Sequence, residues 1–431
     1  MPTITSTCVS VLVSRYASVR AATMQLIAPL TPEDLMVQSS PNASPAKWHL
    51  AHTSWFFETF VLREFAVGYK PFHPDFHWLF NSYYNALGEM PEKKLRASFS
   101  RPSLDTILDY RCHVDTAIAN MLENAPEEEA LRRIVLGLEH EQQHQELIAT
   151  DIKHALFTNP LHPAYIEHPE SCSREAIIAP PIEWLSFQGG LTQIGIDPDP
   201  STFDSFAFDN ETPRHTVYLA PFSLASRPVT CAEYLAFIDD NGYARPELWL
   251  SEGWSKMRDD GWQAPLYWRS DKATESGWSV YTMHGFKALE DLSETPVCHL
   301  SFFEADAYAR WAACRLPTEF EWEHAAALVK IDASSNLLES GNLHPAPAAN
   351  LHGLQQVFGD TWEWTSSGYT GYPGYKPLPG ALGEYNGKFM SSQVILRGGS
   401  CVTPATHIRA SYRNFFPPST RWQFSGLRLA R

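Results

Sequence analysis

Nine residues carry the densest chemistry in the chain: Leu138-Glu139-His140-Glu141-Gln142-Gln143-His144-Gln145-Glu146. The run from Leu131 to Phe157 around them consists of strong helix formers without an interior proline, which predicts a helix. Residues four apart share a helix face. His140 and His144 therefore point the same way, as two ligands of one metal must, with Gln143 beside them. Leu136 and Leu147 fall on the same stripe, which turns the two histidines inward. Inward histidines in a polar cluster require a metal or a buried hydrogen-bond network. The string also reads H-E-x-x-H, the pattern in which two histidines hold zinc and the glutamate, here Glu141, is the general base of a hydrolase. One form of that motif needs a glycine and a third histidine in the next turns, where this chain has Leu147 and Thr150. The motif thus speaks for a metal more than for hydrolysis, and a zinc hydrolase remains an alternative.

A third ligand must come from another helix. Ala46-Lys47-Trp48-His49-Leu50-Ala51-His52 offers His49 and His52, both beside an apolar run ending in Trp55-Phe56-Phe57, and spacing does not choose between them. His73 and His77 are also four apart, but Pro74 and its neighbours favour a loop, so this pair reads as structural or surface. Three neutral imidazoles without a carboxylate leave up to three positions of an octahedral ion open for substrates and oxygen. Three histidines also suit a hydrolytic zinc, so ligand type leaves the metal undecided.

The elements that must position these residues follow from periodicity. Ala46–Phe65, Leu104–Leu122 and Glu127–Leu156 carry apolar residues at three- and four-residue spacing. Ser44-Pro45 is a helix-start signal and Asn159-Pro160 a helix stop. Residues 1–161 therefore read as a helix bundle with a long crossover near 66–102. Residues 162–181, rich in Pro, Ser and Glu, read as a linker. Residues 182–431 are rich in Gly, Pro and Trp, with brief strands such as His215–Leu219 and Val394–Arg397 and two short helices, Cys231–Ile238 and Phe303–Cys314. The fold class is α+β, with an irregular, loop-rich second domain, within the two or three domains that 431 residues suggest. The net charge of −16 argues against a nucleic-acid partner. No polybasic run or long apolar stretch points to a membrane, and Met1 to Ala22 lacks the build of a signal peptide. The seven scattered cysteines, none in a CxxC pair, point to a reducing, cytoplasmic setting.

Beyond these readings, WHLAHTSWFFE and HEQQHQE resemble a DinB-like bundle. Leu316-Pro317-Thr318-Glu319-Phe320-Glu321-Trp322-Glu323, Gly359-Asp360-Thr361-Trp362-Glu363-Trp364, Leu396-Arg397-Gly398-Gly399-Ser400 and the terminal Gly426-Leu427-Arg428-Leu429-Ala430-Arg431 resemble the formylglycine-generating-enzyme fold. In this order, over nearly the whole chain, they resemble the sulfoxide synthases of ergothioneine biosynthesis. The resemblance implies an iron(II) enzyme that uses O2 to join sulfur to trimethylhistidine, with these small molecules as its partners. It selects His52 over His49 and completes the iron site with His140 and His144. It assigns Gln143, Asn414 and Phe415 to trimethylhistidine, which fits an amide facing a carboxylate and an aromatic facing a quaternary ammonium.

The branch using γ-glutamylcysteine carries an Asp where this chain has Phe416, so the resemblance points to free cysteine. The same branch point supplies Tyr83 and Tyr84, after Phe80-Asn81-Ser82, one of them as the proton or hydrogen-atom donor. Two arginines three apart are expected to bind the donor's carboxylate. Arg96 fits the second position, and Lys93 stands at the first, keeping the charge without the planar fork. A selenium-sugar donor, as in selenoneine formation, shares this architecture, and so does action on unmethylated histidine, as in ovothiol formation. Formylglycine chemistry itself is excluded: Thr403 and Ile408 occupy the positions of its two cysteines, and Cys401 reads as a buried thiol.

Overall fold

The computed structural model describes residues 6–124, 126–167, 177–199, 202, 205–332, 334–349 and 352–431. Among them the chain divides into two compact units. The first takes residues 1–161 with 197–207 and 377–388, and the second takes 162–196, 208–376 and 389–431.

Four long helices build the first unit: α1 (Ser6–Ile27), α2 (Ala46–Phe57), α3 (Leu104–Glu123) and α4 (Glu128–Thr158). All twelve side chains of α2 are buried, so this helix is the core of the bundle. It packs on α3 and α4, while α1 lies on α4 and α3. A π-helical turn, Glu58–Leu62, carries α2 on to Arg63–Phe65, which accounts for the helix predicted through Phe65. Helix α1 is the element that periodicity did not single out. Its stripe is diluted by Ser and Thr, and two of its polar residues, Arg20 and Thr23, are themselves buried.

Close packing of α2 on α4 requires Gly137: a Cβ there would lie 2.5 Å from the Phe57 ring. Helix α4 ends at Thr158, with Asn159 extended ahead of Pro160. The start of α2 differs from expectation. Pro45 is the N-cap and no side chain caps the helix. Ser44 instead donates its N–H to Asp151 (2.8 Å) and accepts from Arg96 through its hydroxyl (2.8 Å). The crossover holds one-turn pieces, among them Phe76–Leu79, which contains His77. In the added segment 377–388, the Glu384 carboxylate accepts the N–H groups of Asn85 and Ala86 at 3.0 and 2.8 Å.

Among the described residues the second unit has eleven short strands in four sheets. Strands β1 (Trp184–Phe187) and β4 (Phe222–Ala225) pair antiparallel, as do β2 (Gly190–Ile194) and β3 (His215–Leu219). Strands β5 (Trp268–Ser270), β6 (Trp278–Thr282) and β7 (Gly285–Ala288) form a meander. The largest sheet runs β10 (Asn414–Phe416), β9 (Val394–Arg397), β8 (Trp362–Gly368) and β11 (Ser425–Gly426). Three helices start with a reciprocal capping box, Thr230/Glu233, Ser301/Glu304 and Thr318/Glu321. They include the two predicted ones, observed as Cys231–Asp239 and Phe302–Trp311.

The sequence motifs of this half are mostly structural. Buried Arg397 reaches Glu319 and Glu323, Arg413 reaches Glu319, and Arg428 reaches Glu363, each within 2.9 Å. Gly398 (φ +99°) passes so close to the Val357 carbonyl that a Cβ would sit 2.5 Å from it. Of the predicted linker, residues 168–176 lie outside the described residues. Its flanks are anchored in this unit, where Tyr165 donates its N–H to Met283 (2.9 Å) and Ala179 to Glu294 (2.9 Å).

Candidate metal centre

Helices α2 and α4 bring His52, His140 and His144 together. Each offers one ring nitrogen, and the three nitrogens lie within 4.8 Å of one another. This is the cluster of metal-ligating type found among the described residues. All three rings are buried. The His52 Nε2 and both nitrogens of His140 are buried without a hydrogen-bond partner. Orphaned buried polar atoms are costly, and three convergent imidazoles relieve that cost together by binding a cation. Burial pushes all three imidazoles well below the usual histidine range, and neighbouring histidines push the same way, so each is a neutral donor.

Each ligand is oriented by its surroundings. The His52 Nδ1 donates to the Phe80 carbonyl (2.7 Å), which leaves Nε2 facing the cluster. Its ring is stacked between Trp48 (4.5 Å) and Trp55 (5.2 Å), both nearly parallel to it. The far face of Trp48 is covered by the Arg96 guanidinium, 3.4 Å from the ring centroid. His140 packs on Phe56 at 4.5 Å. The His144 Nδ1 lies 2.7 Å from His49 Nδ1, and His49 Nε2 lies 3.2 Å from Asp151. His49, the competing candidate on α2, thus touches a ligand of the cluster and does not join it. Asp151 follows His144 by seven residues, two helical turns on the same face, which is the sequence signal that would have revealed it.

Glu141 corrects the hydrolase reading. Its carboxylate accepts from Arg20 (2.8 Å), Arg111 (2.9 Å) and Thr23 (2.7 Å), and it is fully buried. Burial raises its pKa, but Arg20 and Arg111 outweigh that and hold it below the usual carboxylate range. Both oxygens are committed to α1 and α3, so none is free to take a proton from a metal-bound water. His73 is half exposed and neither it nor His77 joins the cluster, as expected.

Around the cluster, Gln143 accepts a hydrogen bond from the Tyr385 hydroxyl, and the Tyr385 ring lies 5.7 Å from His140. Tyr385 comes from the 377–388 segment, and no periodicity or motif in that Gly- and Pro-rich stretch marks it. Tyr84 is fully buried, with its ring 5.6 Å from Trp55 and 4.7 Å from that of half-buried Tyr83. Burial holds both phenols above the usual range. Arg96 is buried and donates to Ser44 (2.8 Å) and Ser82 (3.0 Å). Lys93 is exposed, with its ammonium on the Asn42 carbonyl.

In the second unit, Asn414, Phe415 and Phe416 form β10, paired with Leu396, Ile395 and Val394. The Asn414 side-chain oxygen accepts the Phe415 N–H (2.9 Å), and Phe415 stacks on Tyr369 at 4.0 Å. The Phe416 ring meets Trp422 edge-on at 6.1 Å. Thr403 and Ser400 are buried and hydrogen-bonded to each other, where formylglycine chemistry would need a cysteine at position 403.

Comparison with known proteins agrees with both halves. Residues 15–149 match the DinB superfamily, and residues 179–334 and 331–431 match the sulfatase-modifying factor enzyme 1-like domain. The chain thus joins a DinB-type bundle to a sulfatase-modifying-factor-type domain, in that order. The hercynine oxygenase of Mycolicibacterium smegmatis is 30% identical over 97% of this chain and 98% of its own. That of Mycobacterium tuberculosis is 30% identical over the same shares. Ergothioneine biosynthesis protein 1 of Schizosaccharomyces pombe is 31% identical over 52% of this chain and 28% of its own. The chain belongs to the hercynine oxygenase family. No helix among the described residues is long and apolar enough to cross a membrane.

Proposed function

We propose that this protein is a non-haem iron(II) enzyme that uses O2 to join the sulfur of cysteine to the imidazole of hercynine (trimethylhistidine) as a sulfoxide. The observation that carries the reading is the buried, carboxylate-free cluster of His52, His140 and His144, with its unpartnered ring nitrogens. These three residues would hold the metal. When bound, iron(II) supplies the activation of O2 and a common centre for thiolate and imidazole. The overall balance closes: the thiol and ring C–H protons leave with one oxygen atom as water, and the other oxygen remains on sulfur.

The chain's own residues bind, orient and move protons. Gln143, steadied by Tyr385, holds hercynine. Asn414 and Phe415 are assigned to the same substrate on the family resemblance. Arg96 is assigned to the carboxylate of the sulfur donor, with Lys93 in support. Phe416 offers no charge for the amine of a γ-glutamyl group, which favours free cysteine. The Tyr84 hydroxyl, held above the usual range by burial, keeps its proton at neutral pH and is the proton source, with Tyr83 alongside. A reducing compartment suits the seven scattered cysteines, none in a CxxC pair.

The test compares iron(II)-loaded and zinc-loaded protein with hercynine and cysteine, following oxygen uptake and coupled product. Turnover with iron in air and none with zinc or without oxygen supports the reading. Activity with zinc in the absence of oxygen overturns it. Turnover only with a selenium-sugar or γ-glutamyl donor keeps the iron chemistry and overturns the assignments of Lys93 and Phe416.

A further inference from the structure

His144 is the one ligand of the cluster whose outward nitrogen meets another side chain that is itself relayed to a carboxylate. The Asp151 Oδ2 accepts the Ser44 backbone N–H at 2.8 Å and lies 3.2 Å from His49 Nε2. A carboxylate offers lone pairs only, so the proton in the second contact belongs to His49 Nε2. Neutral imidazole has a single N–H, so His49 Nδ1 is then a bare lone pair. That lone pair sits 2.7 Å from His144 Nδ1, a contact that closes only if His144 Nδ1 carries the proton. The proton of His144 is thereby committed, and its Nε2 is left as an unprotonated donor. Reversing the chain would set the His49 Nε2 lone pair against the carboxylate. One carboxylate thus dictates the tautomer of an imidazole two residues removed in space.

We propose that Asp151 and His49 form a polarised relay that positions His144 as an Nε2 ligand and strengthens it as a donor. This deepens the metal-centre reading and rests on it. The relay is built in: His49 and Asp151 are buried, His49 is one turn from His52 on α2, and Asp151 is two turns from His144 on α4. Ser44 ties the carboxylate to Arg96, because its N–H serves Asp151 while its hydroxyl accepts from Arg96. His52 obtains the same tautomer from a backbone carbonyl, whereas the relay gives His144 a full negative charge behind its proton. His49 and Asp151 are therefore positioning residues, acting on the metal through His144.

The experiment uses the full chain in two forms. In the zinc(II)-loaded wild-type protein, nitrogen-15 NMR of the histidines reads the tautomers directly. The relay predicts protons on His49 Nε2 and His144 Nδ1, and the opposite pair overturns it without any variant. Anaerobic cobalt(II) competition titrations then compare wild type with His49→Phe, Asp151→Leu and Asp151→Asn. Loss of such a supporting partner typically costs about 10–100-fold in metal affinity. His49→Phe and Asp151→Leu are expected to show that loss, together with loss of the exchangeable, hyperfine-shifted His144 N–H resonance of the cobalt form. Asp151→Asn keeps an oxygen that can accept from both Ser44 and His49 but loses the charge, so it is expected to keep the resonance and to fall between wild type and Asp151→Leu in affinity. Wild-type affinity and an unchanged resonance in His49→Phe overturn the relay while leaving the metal centre intact. A wild-type chain that binds neither ion overturns the metal reading and the relay with it.

Discussion

Replacing Glu141 by Gln separates the hydrolase reading from the structural one. As a general base, Glu141 would leave stability untouched when replaced and abolish turnover. Its contacts predict the reverse. Arg20, Arg111 and Thr23 all donate to it at 2.7–2.9 Å in a fully buried setting. A glutamine has one acceptor oxygen and turns an NH2 group toward the remaining donors. Removing one partner of a buried ion pair costs about 3–5 kcal/mol. Arg20 keeps Asp115 at 2.7 Å, which places the loss near the lower end, about 3 kcal/mol. For a domain of this size, 1 kcal/mol moves Tm by about 2–4 °C, so the bundle is expected to melt about 6–12 °C lower. Thermal unfolding by circular dichroism measures this, paired with turnover per folded molecule well below the transition. Glu141→Gln is expected to unfold early and to remain an oxygen-consuming enzyme when folded. A wild-type Tm with turnover lost would refute the reasoning and restore Glu141 as a base.

Other substitutions read other parts of the account. Gly137→Ala forces a Cβ onto the Phe57 ring and is expected to cost about 1–3 kcal/mol in chemical denaturation, with little change in the second unit's transition. Tyr83→Phe/Tyr84→Phe is expected to divert product from the sulfoxide toward cysteine sulfinate, and unchanged product would remove the tyrosines from the chemistry. Tyr385→Phe keeps the ring near His140 but loses the bond to Gln143, a net loss of about 1 kcal/mol. The KM for hercynine is therefore expected to rise about fivefold at nearly constant kcat. Asp360 is pushed up to about 6, by burial first, against 3.8 for the free group. Its folded form thus holds the proton more tightly than its unfolded form, so stability of the second unit falls as pH rises from about 4 to about 6 and then levels off. The difference in unfolding free energy between wild type and Asp360→Asn, read by chemical denaturation, should follow that course, by up to about 3 kcal/mol.

Much of the first unit is legible in the sequence because its signals are local. The four-residue spacing of His140 and His144, the proline stop at Asn159-Pro160 and the apolar period of Leu104–Leu122 are all short-range, and each has its counterpart in the fold. The choice of His52 over His49 is not local. It depends on which ring faces α4 and which nitrogen the Phe80 carbonyl occupies. The true role of Glu141 is likewise hidden, because its partners come from α1 and α3, more than a hundred and about thirty residues away. Helix α1 escaped notice because its buried face includes Arg20 and Thr23, which satisfy Glu141 at the cost of apolar periodicity. Segment 377–388 carries Tyr385 and Glu384 into the first unit through long-range contacts that no pattern within the segment announces. In the second unit two short helices and strands such as His215–Leu219 and Val394–Arg397 could be read, while the capping boxes that start the helices were not singled out. The conspicuous Arg and Glu residues of its motifs, which invite a catalytic reading, are buried ion pairs that hold the irregular fold.

The most direct test of the central claim is product analysis under oxygen-18 gas, with iron(II)-loaded protein, hercynine and cysteine. The account predicts one product, the mass of both substrates joined less two hydrogens, carrying a single oxygen-18 on sulfur, and none when His52, His140 or His144 is replaced by alanine. A product without the label, or the labelled product from an alanine variant of the cluster, would contradict it.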